Sequence, residues 1–154
     1  MKIESLKLKI YLGSDHAGFE LKEKLRKYLK ELKYQVNDLG NALYEEQDDY
    51  PDFIFPVARA VARDPNQCRG IILGGSGQGE AIVANRIKGV RAIVLYHYDK
   101  DIIHLSREHN DANVLSVGAR FISEGDAKKA VKLWLETPFS GKERHKRRIK
   151  KIDQ

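Results

Sequence analysis

Residues 70–80, Gly-Ile-Ile-Leu-Gly-Gly-Ser-Gly-Gln-Gly-Glu, decide the fold of this chain. The first four form an apolar run that predicts a buried strand, and residues 81–86 open a predicted helix. Glycines at four of the six positions from 74 to 79 leave the backbone free to approach a ligand closely. Unpaired N–H groups and the dipole of the following helix together favour an anion in this loop. Glu80 ends the loop, and a carboxylate beside an anion site indicates chemistry as well as binding.

Segments with strand and helix patterns alternate on both sides of this loop. Further strands are predicted over residues 8–13, around Val36, over 91–95 and over 113–117. Further helices are predicted over residues 17–33, 51–63, 99–108, 124–135 and 142–152. Strands joined by helices of this length form right-handed crossovers and a parallel sheet covered on both faces. We therefore predict a Rossmann-like three-layer α/β/α sandwich with a five-stranded parallel sheet, in one domain over residues 1–154.

Ligands of such sheets bind at the carboxyl ends of the strands, and the polar residues of this chain collect there. Asp15 and His16 follow the first predicted strand, the glycine loop follows the third, and Gly118 to Arg120 follow the fifth. Asp15 also suits a helix N-cap, and both roles are compatible.

The composition excludes several classes of protein. No apolar run approaches the roughly 20 residues that span a bilayer, and the first residues lack the apolar core of a signal peptide. The single cysteine, Cys68, has no partner for a disulfide or a CxxC motif and is interpreted as a small residue at a strand edge. These features predict a cytoplasmic protein that does not bind membranes.

The positive charge is concentrated at the C-terminus. Of a net charge of +6, residues 142–154 supply +5, from seven Lys or Arg and two acidic residues. Arg144 and Arg148 are four residues apart, so they project from one helix face, and guanidinium groups suit phosphate oxygens. A nucleic-acid partner is disfavoured, because no broad basic face, aromatic platform or recognition motif accompanies this tail.

Seven short motifs in order resemble the type B ribose-5-phosphate isomerase family, which also contains the galactose-6-phosphate isomerase subunits. They span nearly the whole chain: Gly-Ser-Asp-His-Ala-Gly (13–18), Asp-Tyr-Pro (49–51), Gly-Gly-Ser-Gly-Gln-Gly-Glu (74–80), Ala-Asn-Arg (84–86), Arg-Glu-His-Asn-Asp (107–111), Val-Gly-Ala-Arg (117–120) and Arg-His-x-x-Arg (144–148).

The resemblance implies an aldose–ketose isomerase that interconverts ribose 5-phosphate and ribulose 5-phosphate. A base moves the proton between C2 and C1 through an enediol(ate), and no metal or organic cofactor is required. Many members of the family carry a cysteine base where this chain has Gly74, whereas a second subgroup uses a glutamate at the end of the same loop. The chain follows the second pattern, so Glu80 is expected to be the base and Cys68 is not.

The other roles follow from the same resemblance. The N–H groups of the loop and the Ser76 hydroxyl are expected to stabilise the oxyanion, and His109 is expected to open the sugar ring. The catalytic set is therefore Glu80, His109 and Ser76. The expected substrate-binding residues are Asp15, His16, Gly75, Ser76, Gly77, Gln78, Gly79, Asn110, Arg120, Arg144 and Arg148. The tail arginines are expected to serve a neighbouring subunit of a homodimer or a dimer of dimers.

Alternatives remain open at this stage. The substrate could be a six-carbon phosphosugar such as allose or galactose 6-phosphate, and the chain could instead bind sugar phosphates without catalysis. Glu80 could be a solvated glutamate at a helix N-terminus, His109 a helix cap, and the loop an ordinary turn. The sequence leaves open the role of His145 and whether the helix dipole or desolvation dominates the pKa of Glu80.

Overall fold

A computed structural model describes residues 8–154, and its central element is a parallel sheet that has five strands within that range. Every pair of neighbouring strands is parallel, and their order across the sheet is β2-β1-β3-β5-β4. The strands are β1 (Lys9–Ser14), β2 (Gln35–Asp38), β3 (Cys68–Gly74), β4 (Ala92–Leu95) and β5 (Val114–Gly118). The predicted α/β architecture and its five-stranded parallel sheet are confirmed.

Helices connect these strands and cover both faces of the sheet. They are α1 (Phe19–Glu31), α2 (Pro51–Arg63), α3 (Gln78–Ala84), α4 (Lys100–Glu108), α5 (Glu124–Glu136) and α6 (Glu143–Lys150). A 3₁₀ turn over His16–Gly18 precedes α1, because the Asp15 side chain caps that turn. The predicted first helix therefore begins two residues later as an α-helix than its pattern indicates.

Two apolar clusters form the core, one on each face of the sheet. Helices α1, α4 and α5 pack on one face and bury residues that include Leu25 and Trp134, whereas α2 and α3 pack on the other. Strand β3 serves both clusters, since Ile71 and Leu73 face the first and Ile72 faces the second. Burial of each such aliphatic side chain contributes about 1.5–3 kcal/mol.

The direction of the crossovers reverses between β1 and β3. Strand β2 lies on one side of β1, while β3, β5 and β4 follow on the other side. Such a reversal opens a crevice at the carboxyl ends of the two strands. The chain passes this crevice closely, because a Cβ atom at Gly18 would overlap Leu73 at the end of β3. The fold thus prepares a binding site between β1 and β3.

Within residues 8–154 no helix combines the length and the apolar character needed to cross a membrane.

Candidate active site

The carboxyl edge of the sheet brings together one group of the predicted site residues. Asp15 lies directly after β1, and its carboxylate accepts hydrogen bonds from the N–H groups of Ala17 (3.0 Å) and Gly18 (3.3 Å). Arg120 follows β5, and its N–H donates to the carbonyl of Gly75 at 3.1 Å. The guanidinium of Arg120 also lies against Gly75, so this arginine borders the glycine loop.

The glycine loop turns sharply from β3 into α3. Gly77 has a φ of 80°, a conformation that favours glycine, and it directly precedes the helix. The Ser116 hydroxyl of β5 donates to the Gly77 carbonyl at 2.6 Å, which fixes the loop to the neighbouring strand. The Ser76 hydroxyl accepts from the Gln78 N–H at 3.3 Å. The loop is therefore a tight turn that these hydrogen bonds hold at the carboxyl end of the sheet.

Glu80 lies in the first turn of α3, and its side chain is buried: only 4% of the residue is exposed. Burial raises the pKa of its carboxyl, and the negative charge of Asp15 raises it further, against a backbone hydrogen bond that lowers it. Desolvation is the largest of these influences on the carboxyl group of Glu80. A buried carboxylate with a raised pKa is suited to accept a proton.

The end of β3 makes room for this carboxylate. A Cβ atom at Gly74 would overlap the carboxyl group of Glu80. A side chain at position 74 and the Glu80 carboxylate therefore compete for the same space, directly below the glycine loop.

His16 is held by a residue that the sequence analysis missed. The Asp48 carboxylate accepts from the Nδ1 atom of His16 at 2.8 Å and from its backbone N–H at 3.3 Å. Asn41 donates to the other oxygen of Asp48 at 3.1 Å. Asp48 raises the pKa of His16. Only one feature of the sequence pointed to the location of Asp48: residues 41–49 follow β2, so this segment begins at the same carboxyl edge of the sheet as Asp15.

A second group of predicted residues lies at the opposite edge of the sheet. His109 caps the C-terminus of α4, and Asn110 follows it. The side chain of Arg91, just before β4, donates to the Asn110 carbonyl at 3.0 Å. The backbone N–H of Arg91 donates to the side-chain oxygen of Asn113, just before β5, at 2.8 Å. Residues that precede parallel strands lie at the amino edge, so His109 and Asn110 lie there too.

Helix α6 joins this second group. The ring of His145 stacks on that of His109, with centroids 4.3 Å apart and planes 18° from parallel. His145 is buried in a helix whose arginines Arg144 and Arg148 are exposed. Burial lowers the pKa of His145, and the charge of His109 and the nearby basic side chains act in the same direction. Both tail arginines thus lie close to His145, whose ring contacts that of His109.

The two groups do not meet within one chain. The carboxyl edge holds Asp15, His16, the glycine loop, Glu80 and Arg120, and the amino edge holds His109, Asn110, Arg144, His145 and Arg148. Strand β5 has five residues and runs from one edge to the other, so its length alone separates them by roughly 16 Å. The chain therefore carries two separate groups of predicted site residues, one at each edge of the sheet.

Within the part of the chain that the structure describes, one set of side chains could approach a metal ion together. Potential ligand atoms of Asp15, His16 and Asp48 lie within 4.8 Å of one another. Asp15 already accepts two backbone N–H groups, and Asp48 already accepts from His16. These hydrogen bonds account for the cluster.

The amino-acid sequence of the chain is similar to that of a known protein family and of named enzymes. The family described as Ribose/Galactose Isomerase matches residues 10–152. Ribose-5-phosphate isomerase B of Mycolicibacterium paratuberculosis is 40% identical over 142 residues, which are 92% of this chain and 87% of that protein. The probable ribose-5-phosphate isomerase B of Mycoplasma pneumoniae is also 40% identical, over 93% of this chain and 91% of its own length.

Solved structures agree with these relatives. A crystal structure of ribose-5-phosphate isomerase B from Mycoplasma genitalium with bound ribulose 5-phosphate superposes with a TM-score of 0.89 at 37% identity. The match covers 96% of this chain and 95% of that one. The enzyme of the same name from Thermotoga maritima has a TM-score of 0.87 at 42% identity, over 95% of this chain and 97% of its own.

Proposed function

The chain belongs to the ribose/galactose isomerase family, and from this premise we propose that it interconverts ribose 5-phosphate and ribulose 5-phosphate. The reaction transfers one proton between C2 and C1 through an enediol(ate). The single observation that carries the proposal is the buried Glu80 carboxylate, which lies beside the glycine loop and has a raised pKa.

Glu80 acts as the base that removes the proton and returns it to the neighbouring carbon. A raised pKa gives the carboxylate a greater proton affinity than an exposed glutamate has, which favours abstraction from carbon. Its contact with Gly74 supports the assignment, because the same space is open to a base carried by residue 74 or by residue 80. Cys68 has no part in the reaction, since it is buried in β3 and burial raises the pKa of its thiol.

The glycine loop stabilises the negative oxygen of the enediolate. N–H groups of residues 75–79 and the Ser76 hydroxyl lie at the start of α3, where the helix dipole also favours negative charge. The bond between Ser116 and Gly77 keeps the loop preorganised, so little rearrangement is needed when charge develops. Asp15 and His16 bind the substrate from the β1 side.

In this proposal each active site combines two half-sites, the carboxyl-edge group of one chain and the amino-edge group of another copy of the chain. His109 opens the furanose ring, Asn110 binds sugar oxygens, and Arg144 and Arg148 bind the phosphate together with Arg120. A homodimer, or a dimer of dimers, that brings the amino edge of one protomer to the carboxyl edge of its partner completes two identical sites. Support comes from the exposure of both tail arginines and from the length of β5, which separates the two edges within one chain.

His145 orients the ring of His109 by stacking on it. Its lowered pKa disfavours a positive charge on His145 near the two arginines. The basic tail thus serves a small phosphosugar, and neither nucleic acid nor a membrane is needed to explain it. A cytoplasmic location is part of the same proposal and fits the unpaired thiol of Cys68.

Conversion of ribose 5-phosphate to ribulose 5-phosphate by the purified protein, with a chelator present, tests the function. We expect rapid turnover that the chelator does not reduce. The substitution Glu80→Gln should lower kcat by at least about 1,000-fold, while the variant still binds the substrate. Glu46→Gln is the matched control, because Glu46 is exposed and lies in the segment 41–49. Absence of turnover in the wild-type protein, with ribulose 5-phosphate bound, would indicate a binding module instead.

Parallel assays with allose 6-phosphate and galactose 6-phosphate test the pentose preference. The six-carbon substrates add one hydroxymethylene, and a permissive pocket distinguishes such a change by only about 1–3 kcal/mol. We expect the pentose to have the highest kcat/KM. A higher value for either hexose phosphate would assign the chain to the six-carbon branch.

A further inference from the structure

Asp48 contacts His16 but has no role in the function proposed above. We propose that Asp48 is a positioning residue that holds the His16 imidazole in a fixed orientation and keeps it in the form that donates a hydrogen bond from Nε2 to the substrate phosphate. The kinetic part of this inference rests on the proposed function, whereas the ionisation of His16 can be measured without any turnover.

The geometry around His16 fixes its ring. Asp48 accepts from both the Nδ1 atom and the backbone N–H of His16, so the bond to Nδ1 leaves Nε2 as the ring nitrogen free to contact a ligand. Tyr44 packs its ring edge-on against the imidazole, with centroids 6.1 Å apart and an interplanar angle of 89°. The imidazole is thus constrained on two sides.

Asp48 is itself well placed to act through His16. Its side chain is only 5% exposed, compared with 26% for that of His16, so the carboxylate is the more buried partner of the pair. The Asn41 amide donates to the second carboxylate oxygen and prevents the group from rotating away. An oriented carboxylate behind an imidazole favours the protonated ring.

The segment that carries Asp48 is anchored independently of its carboxylate. The backbone of Ser14, at the end of β1, donates to the Gly40 carbonyl at 2.8 Å and accepts from the Asn41 N–H at 3.0 Å. Tyr50, at the other end, packs its ring against Gly79 of α3. Because both ends are fixed to the core elements, loss of the Asp48 charge should leave the segment in place.

Three charged groups face His16, and their balance sets its ionisation. The hydrogen bond from His16 to Asp48 is the largest influence and raises the pKa of His16; burial opposes it. Asp15 raises the pKa as well, whereas Arg120 lowers it. His16 and Arg120 therefore form the cationic part of the carboxyl-edge half-site, next to the loop that favours anions.

Asp48→Asn separates charge from orientation, since an amide oxygen can still accept from Nδ1. Without the carboxylate the pKa of His16 falls, because Asp48 is the main influence that raises it. The ratio of KM for ribose 5-phosphate, variant over wild type, should therefore be greatest, up to about tenfold, at a pH between the His16 pKa values of the two proteins, where the variant loses one charge-assisted hydrogen bond. The ratio should approach one at lower pH, where the ring is protonated in both proteins.

Asp48→Ala removes the acceptor as well, so its KM ratio should stay raised across the whole pH range. Glu46→Gln removes a carboxylate from the same segment without touching His16, and its ratio should be close to one throughout. In a His16→Gln background, Asp48→Asn should add no further change. The use of ratios cancels the ionisation of the substrate phosphate.

A ¹⁵N-histidine NMR titration provides the readout that does not depend on activity. The chain has five histidines, and loss of one signal in His16→Gln assigns His16. We expect its pKa to drop in Asp48→Asn and to stay unchanged in Glu46→Gln. An unchanged titration in Asp48→Asn would overturn the inference even if the protein is an isomerase. A lowered pKa with a KM ratio independent of pH would also overturn it, by removing His16 from phosphate binding.

Discussion

Gly74→Ala is a small change that tests the position of the proposed catalytic base, Glu80. A Cβ atom at residue 74 overlaps the Glu80 carboxyl group, which must move by roughly 1 Å or more to regain a normal van der Waals separation. A displacement of about 1 Å from the productive geometry can reduce turnover by roughly 100-fold. We therefore expect kcat to fall by about that factor, with a much smaller change in KM.

The same substitution should leave the fold intact. The added methyl group would meet the end of a side chain rather than backbone, and the φ of Gly74 is not positive. Removing a glycine from such a position changes the free energy of unfolding by about 1 kcal/mol or less. Gly125→Ala is the matched control, because no atom lies within 4 Å of the added Cβ in α5.

Steady-state kinetics with ribose 5-phosphate and thermal unfolding of both variants distinguish the possibilities. Gly74→Ala with wild-type kcat and an unchanged melting temperature would refute the reasoning, because it would show that the carboxylate of Glu80 need not occupy this space.

Three further predictions concern the phosphate, the thiol and pH. Arg144→Ala and Arg148→Ala should each raise KM by about 10- to 100-fold, because each removes one or two charge-assisted hydrogen bonds to the phosphate. Lys150→Ala is the control and should leave KM unchanged, since Lys150 is also exposed on α6. Normal KM values in both arginine variants would exclude the phosphate role. Cys68→Ser should keep full kcat, and an inactive but folded variant would mean that the base is wrongly assigned. Because burial raises the pKa of Glu80, and the base must be deprotonated, kcat/KM should fall as the pH drops through a value above that of an ordinary glutamate. The substrate phosphate, titrated separately by ³¹P NMR, serves as the reference, and an acid limb that coincides with it alone would contradict this assignment.

Much of the fold was readable from local patterns. The apolar run before the glycine loop predicts β3, and Pro51 correctly marks the first turn of α2. The order of the strands was not readable, because the exchange of β5 and β4 along the sheet depends on contacts between distant segments. A repeating pattern of strands and helices fixes the class of fold but not its sequence of crossovers.

The candidate site was readable only in part. The polar residues that follow β1, β3 and β5 were expected at one edge, since parallel strands end together there. The separate location of His109 follows from its place in the chain, because a helix that follows a parallel strand returns to the amino edge before the next strand begins. Asp48 and the burial of His145 had no comparable signal, because one lies in an irregular segment and the other in a highly charged helix.

Mixing two impaired variants tests most directly whether one catalytic site combines Glu80 of one copy with the basic group of another. Glu80→Gln and Arg144→Ala are unfolded together, refolded and assayed with ribose 5-phosphate far below the wild-type KM, where each variant alone should have about a tenth of wild-type activity or less. In a mixed dimer one of the two sites receives an intact Glu80 and an intact Arg144, so random pairing should restore about a quarter of wild-type activity. Recovery of none of that activity, although mixed dimers have formed, would contradict a site shared between subunits.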